Sequence, residues 1–180
     1  MRFFLTIFII FLTLVTARTQ YLEGASSKWD DDLTEWEIFL VNEESPGSMV
    51  LRWKYPLNWT EWDFRLGEIT GSVETKWRND ASEWVVRSAG EVITVRMLWA
   101  NDPREWIITD NSTRITFKTR YGNTPEEWYM VEDRFGKFNI FTAYQGDPRD
   151  WVVQDDTKDA ITLPMKMAML FVAVFYNIPK

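Results

Sequence analysis

Apolar and polar residues alternate with a period of two over most of this chain, which is the period of a strand rather than a helix. The marker of the pattern is an acidic residue followed by tryptophan, at Glu35-Trp36, Glu61-Trp62, Glu83-Trp84, Glu105-Trp106, Glu127-Trp128 and Asp150-Trp151. Two residues after each tryptophan stands an apolar side chain: Ile38, Phe64, Val86, Ile108, Met130 and Val153. A second aromatic precedes the last five tryptophans by seven positions, at Tyr55, Trp77, Trp99, Tyr121 and Tyr144. The runs leading into it alternate as well, placing Val95, Met97 and Trp99 on one face, and likewise Phe117, Thr119 and Tyr121, and Ile140, Thr142 and Tyr144. Arg52, Lys54, Glu74, Lys76, Arg96, Lys118 and Arg120 fall on the other face. One buried and one wet face predict an antiparallel sheet.

Turn signals separate the runs: Ser45-Pro46-Gly47, Ala89-Gly90, Asp110-Asn111-Ser112 and Gly136 at one end, and phrases such as Asn101-Asp102-Pro103 at the other. The repeat of about 22 residues therefore predicts six hairpins, with loops of about six residues between them. Eleven strands are expected between about 36 and 154, with a twelfth from 159–163 or from the segment around Trp29.

A row of hairpins with one apolar face must bury it. The chain ends in LPMKMAMLFVAVFYNIP, with ten consecutive apolar or aromatic residues from Met167 to Tyr176 and helix-start signals at Thr162 and Pro164. Leaving that stretch in water would cost on the order of 20 kcal/mol. It is too short for a membrane span and is interrupted by Lys166. Eight strands leave a barrel just filled by its side chains and sixteen leave a channel, so eleven or twelve give a lumen suited to one helix. The fold class expected is all-β with one helix: an antiparallel meander barrel of 11–12 strands enclosing a C-terminal helix at about 163–177. A flat or solenoidal sheet is the alternative.

That plan, and the tail Met165-Lys166-Met167-Ala168 running on to Tyr176, resembles the tubby, phospholipid scramblase and LURP-one-related group. The resemblance implies a twelve-stranded barrel around a hydrophobic helix and an association with lipid. It also implies a calcium-binding segment where Asp155-Asp156-Thr157-Lys158-Asp159 stands.

The first 17 residues carry one charge, Arg2, an apolar run from Phe3 to Leu14 and a small-residue exit at Val15 and Ala17. They read as a signal peptide, with an uncleaved anchor as the alternative; residues 18–180 then form one domain with no further membrane span. The expected location is secreted, or the bacterial periplasm or envelope. A net charge of −7 disfavours nucleic acid. The absence of cysteine and histidine excludes disulfides, Ser-His-Asp and Cys-His catalysis, and thiolate or imidazole metal sites.

No cofactor or metal is expected. The carboxylates before the tryptophans, with Asp80, Asp102 and Asp147, gather at one rim, where they are expected to cap loops or pair with Arg78, Arg104 or Arg149 rather than share a cation. The six motif tryptophans are assigned to the core, leaving Trp29 and Trp59 for a surface role. After the motif tryptophan, Glu37 and Asp63 give way to Val85, Ile107, Tyr129 and Val152, and with Leu98 and Phe141 these form the candidate interaction surface. Asn58 and Asn111 head sequons, to be glycosylated only in a eukaryotic secretory pathway. The function expected is a non-enzymatic binding or structural module with an unidentified protein or lipid partner. Lipid-surface binding through Arg96, Lys118 and Arg120 is one alternative, and a carboxylate-based hydrolase is a second.

Overall fold

The computed structural model describes residues 20–178, so the predicted signal segment lies outside the described residues. Twelve strands close into one antiparallel barrel in sequence order, with β1 paired to β12. They are β1 (Leu22–Ser27), β2 (Glu35–Leu40), β3 (Gly47–Lys54), β4 (Leu57–Leu66), β5 (Ile69–Trp77), β6 (Asp80–Ser88), β7 (Glu91–Trp99), β8 (Asp102–Thr109), β9 (Arg114–Tyr121), β10 (Thr124–Met130), β11 (Gly136–Tyr144) and β12 (Asp147–Thr157). The helix α1 (Leu163–Asn177) is buried from Pro164 to Phe175. The predicted barrel around a C-terminal helix is thus the fold observed.

Of the two places expected for the twelfth strand, the structure uses the segment around Trp29: β1 ends two residues before it, while residues 159–163 only lead into the helix. The tips differ from expectation. At five of the six tips the turn has two residues rather than about six, because the chain already pairs in the next strand at Leu57, Asp80, Asp102, Thr124 and Asp147; the first tip, residues 28–34, keeps a longer loop. The second turn residue at three tips, Asn79, Asn101 or Gly146, has a positive φ of 60°, 60° or 78°. Asn and Gly tolerate that left-handed backbone, which explains their place in the repeat.

Closure depends on a close approach at Gly24. A Cβ there would stand 2.4 Å from the Trp151 carbonyl oxygen across the β1/β12 seam, so only glycine lets the two strands pair.

The strand period sends Trp36, Trp62, Trp84, Trp106, Trp128 and Trp151 inward, and the apolar residue two positions later is buried in every copy. The helix packs into this shell edge to face: Phe171 meets Trp62 and Trp84 at centroid distances of 6.0 and 4.8 Å, and Phe175 meets Trp84 at 4.7 Å. The outer wall carries charged side chains and cross-strand ion pairs such as Lys76–Glu83 and Arg87–Glu74. It is apolar within and charged without, the reverse of a lipid-facing barrel. No helix among the described residues is long and apolar enough to cross a membrane.

Polar contacts pin both ends of the helix. At its start, Lys166 is fully buried; its ammonium pairs with Asp155 on β12 at 2.9 Å and donates to the Gln20 carbonyl at 2.9 Å. It also lies 4.5 Å from the centre of the Tyr21 ring. Burial pushes the Lys166 amine below its ordinary value, and Asp155 opposes that shift. At the other end the Tyr176 hydroxyl donates to the Ala81 carbonyl at 2.5 Å, and the Asn177 amide donates to that of Pro125 at 2.8 Å.

Candidate functional site

One hydrogen bond recurs in the repeat phrase of all six hairpins. Each motif indole N–H donates to the carbonyl three residues earlier: Trp36 to Leu33, Trp62 to Trp59, Trp84 to Ala81, Trp106 to Pro103, Trp128 to Pro125 and Trp151 to Pro148, at 2.6–3.1 Å. One residue before that carbonyl, Asp32, Asn58, Asp80, Asp102 and Asp147 each accept the backbone N–H two positions on, at 2.8–3.1 Å. In the last five hairpins the register shifts between this turn and the tryptophan, so the strand carrying the phrase bulges there. Residues in a bulge leave the ladder, and a buried indole N–H requires an acceptor. The Asx turn and the indole bond therefore build the hairpin tip; they are not a ligand site.

The acids before the tryptophans are engaged on the outer face. Glu35 pairs with Lys54 and with Lys28, Glu61 with Arg52, Glu83 with Lys76 and Glu127 with Arg120, while Asp150 accepts from the Ser26 hydroxyl. Lys54, with Lys28 beside it, holds Glu35 down to about 2. Asp102 and Asp147 are likewise held to about 2 by the guanidinium groups of Arg104 and Arg149. In the acidic tail segment, Asp155 points inward to Lys166 and also accepts from the Leu22 amide and the Thr157 hydroxyl. Among the described residues no cluster of three or more acidic side chains is arranged to hold a metal ion.

The second aromatics overturn an expectation. Sequence alternation puts Trp99, Tyr121 and Tyr144 on the buried face, yet they are exposed, as are Tyr55 and Trp77; Trp99 is 61% exposed and Tyr55 95%. They lie past the bulge at the hairpin tips, beyond the last layer of the core. Trp53 and Trp29 are also exposed, and Trp29 stands seven residues before Trp36. That spacing makes it the sixth copy of the same position, and its exposure agrees with the surface role expected for it. Trp59, the other tryptophan assigned to the surface, is half-buried, its ring centre 5.8 Å from that of Trp62.

These residues form a collar on the rim where the helix ends. Four of its indole N–H groups are tied down by the acids of the repeat: Trp29 to Glu35, Trp53 to Glu61, Trp77 to Glu83 and Trp99 to Glu105, at 3.0–3.3 Å. Lys28 and Lys76 lie over the rings of Trp29 and Trp77. The rings are held in place while much of their apolar surface meets water. An open depression of about 620 Å³ adjoins the collar, lined by Asp32, Tyr55, Trp59 and Ile178.

On the outer wall, the predicted apolar surface is broken up. Val85 is only 8% exposed and Ile107 3%, so neither is offered to a partner. Val85 stands opposite Glu74, which pairs with Arg87, and Ile107 lies between Arg96 and Thr116; long charged side chains cover such positions with their stems. Leu98, Tyr129 and Phe141 are half-buried, and Val152 is exposed beside Phe141 in register. Tyr129 lies under Arg120, 4.7 Å from ring centre to guanidinium. Asn58 and Asn111 are both exposed.

A second depression, of about 610 Å³, crosses this wall over β9 to β12. Its floor is a polar ladder. Arg120 bonds Glu127 and reaches the Asn139 oxygen at 3.3 Å, and the Asn139 amide faces the Gln154 oxygen at 3.4 Å. Tyr121 stands at its collar end and Phe141 in its lining.

No protein-family model, curated protein or solved structure matches the chain.

Proposed function

We propose that the protein is an exported, non-enzymatic binding module whose working surface is the aromatic collar. The observation that carries this reading is the exposed tryptophan or tyrosine at every hairpin tip, while the motif tryptophan eight or fewer residues away is buried. Exposed aromatics gathered at one end of a domain are a costly surface that a partner covers. With α1 filling the interior, a ligand would meet the outside of the barrel. The collar in which Trp53, Trp77 and Trp99 are each replaced by Ala should remain folded and lose binding to its ligand. A panel of neutral polysaccharides and lipid vesicles, read by cosedimentation, tests it, and binding equal to that of the wild type would overturn the reading.

Lipid-surface binding is a second reading, favoured by the same collar, since tryptophan and tyrosine concentrate where a membrane meets water. The resemblance to the tubby and scramblase group supports it only through the shared barrel and helix. Arg120, one of the basic residues expected to meet headgroups, is engaged by Glu127 and Asn139. Salt-insensitive binding to zwitterionic vesicles would favour collar insertion, salt-sensitive binding to anionic vesicles would favour the basic strands, and binding to neither would sink this reading.

A further inference from the structure

We infer that the depression over β9 to β12 is a binding site for a neutral oligosaccharide. The inference rests on the chain being a binding module and adds, on the wall, a second contact distinct from the collar.

The polar groups along the groove are planar and paired. Arg120, Glu127, Asn139 and Gln154 come from four adjacent strands, so their ladder runs across the sheet. Three inter-strand steps of 4.7–4.9 Å give a length of about 14 Å, room for about three pyranose rings. A sugar presents vicinal hydroxyls at its edge and apolar C–H groups on its face. Side-chain amides, guanidinium and carboxylate match the edge, because each offers adjacent donors or acceptors in one plane. Tyr121 at the mouth and Phe141 in the lining match the face.

Charge and topology narrow the ligand class. Arg120 is the cation of the groove and is bound to Glu127, while Glu126, also in the lining, accepts from the Gly146 amide. A phosphate or anionic headgroup would meet more carboxylate than free cation there. An extended peptide could add to a sheet edge, but a closed barrel has none. Neutral hydroxyl-rich chains remain, and the half-filled hydrogen-bonding capacity of Asn139 and Gln154 suits them.

The test is isothermal titration of the full chain with cellohexaose, xylohexaose, mannohexaose and chitohexaose. Saturable binding to at least one is expected. Asn139→Ala, Gln154→Ala and Tyr121→Ala should each weaken it about tenfold, the effect of one lost hydrogen bond or stacking contact. Val92→Ala, exposed on β7 outside both the groove and the collar, should leave it unchanged. No binding by any of the four sugars, or binding that the three groove variants do not alter, overturns the inference. Sugar binding abolished by Trp77→Ala and untouched by the groove variants overturns it while upholding the collar. Wild-type protein that binds neither these sugars nor vesicles fails both.

Discussion

Lys166 on the internal helix and Asp155 on β12 stand 2.9 Å apart with both side chains shut off from solvent. Asp155 also takes the Leu22 amide of β1 and the Thr157 hydroxyl, and Lys166 also takes the Gln20 carbonyl. One buried pair thus ties together the helix, the last strand and the start of the described chain. It explains the single charge in the otherwise uncharged helix α1. Removing one partner strands the other charge without water, so Lys166→Met or Asp155→Asn should each cost about 3–5 kcal/mol in urea unfolding. The double variant Lys166→Met/Asp155→Asn should be less damaging than the sum of the singles, because it strands no charge and keeps a side-chain oxygen for the Leu22 amide. A strictly additive double-mutant cycle would show that the pair is not coupled.

The motif tryptophans differ in what they hold. Trp84 touches both Phe171 and Phe175, whereas Trp106 meets the helix through Tyr176 at 4.9 Å. Trp84→Ala should therefore cost about 5 kcal/mol, near the top of the range for a large buried aromatic. Trp106→Phe keeps most of the ring but leaves the Pro103 carbonyl without its indole donor, for a loss of about 1–3 kcal/mol. Chemical denaturation of both variants checks the order.

The barrel was legible in the sequence because a period of two and a repeat near 22 residues are set by strand geometry and hairpin length, both local properties. The helix was legible because Met167 to Tyr176 has nowhere to go but inside. What the alternation misjudged was the hairpin tips. The register shifts between the Thr75–Trp84 and Trp77–Asp80 pairs, and between the Met97–Trp106 and Trp99–Asp102 pairs, so Trp77 and Trp99 sit past the bulge and beyond the core although parity puts them in it. The wall was misjudged at Val85 and Ile107 because the burial of an outward residue depends on its neighbours across strands, which one strand's pattern does not contain. The groove over β9 to β12 left no sequence signal, since Arg120, Glu127, Asn139 and Gln154 meet only through register.

Deleting residues 163–180 empties the barrel. The six inward tryptophans then face a water-filled lumen, and the rim carbonyls of Ala81 and Pro125 lose Tyr176 and Asn177. The truncated chain should fail to unfold cooperatively and should bind a hydrophobic dye. A soluble truncation with a sharp urea transition would show that the strands close without the plug.

Acid should loosen the hairpin tips in a defined window. Glu35 falls from 4.5 in the unfolded chain to about 2 in the fold, chiefly through Lys54. Asp102 and Asp147 fall from 3.8 to about 2 through Arg104 and Arg149. A carboxylate with a lowered folded pKa stabilises the fold above its unfolded value and loses that contribution as pH falls through its folded value. The urea midpoint should thus hold steady above about pH 5 and decline between about 4.5 and 2. Asp102→Asn with Asp147→Asn should flatten that decline, and an unchanged slope would show that these caps contribute nothing.

Fluorescence separates the two tryptophan sets directly. Of the eleven tryptophans, Trp29, Trp53, Trp77 and Trp99 are exposed, six are buried at the motif, and Trp59 is half-buried. Replacing the four exposed ones with Phe should shift the emission to shorter wavelength and remove most of the iodide-quenchable signal. Because they lie outside the core, the urea midpoint should move little, with a cost of about 0.5 kcal/mol or less per site. A variant quenched as readily as the wild type would mean that the motif indoles reach solvent, and that the collar and the core are not distinct sets.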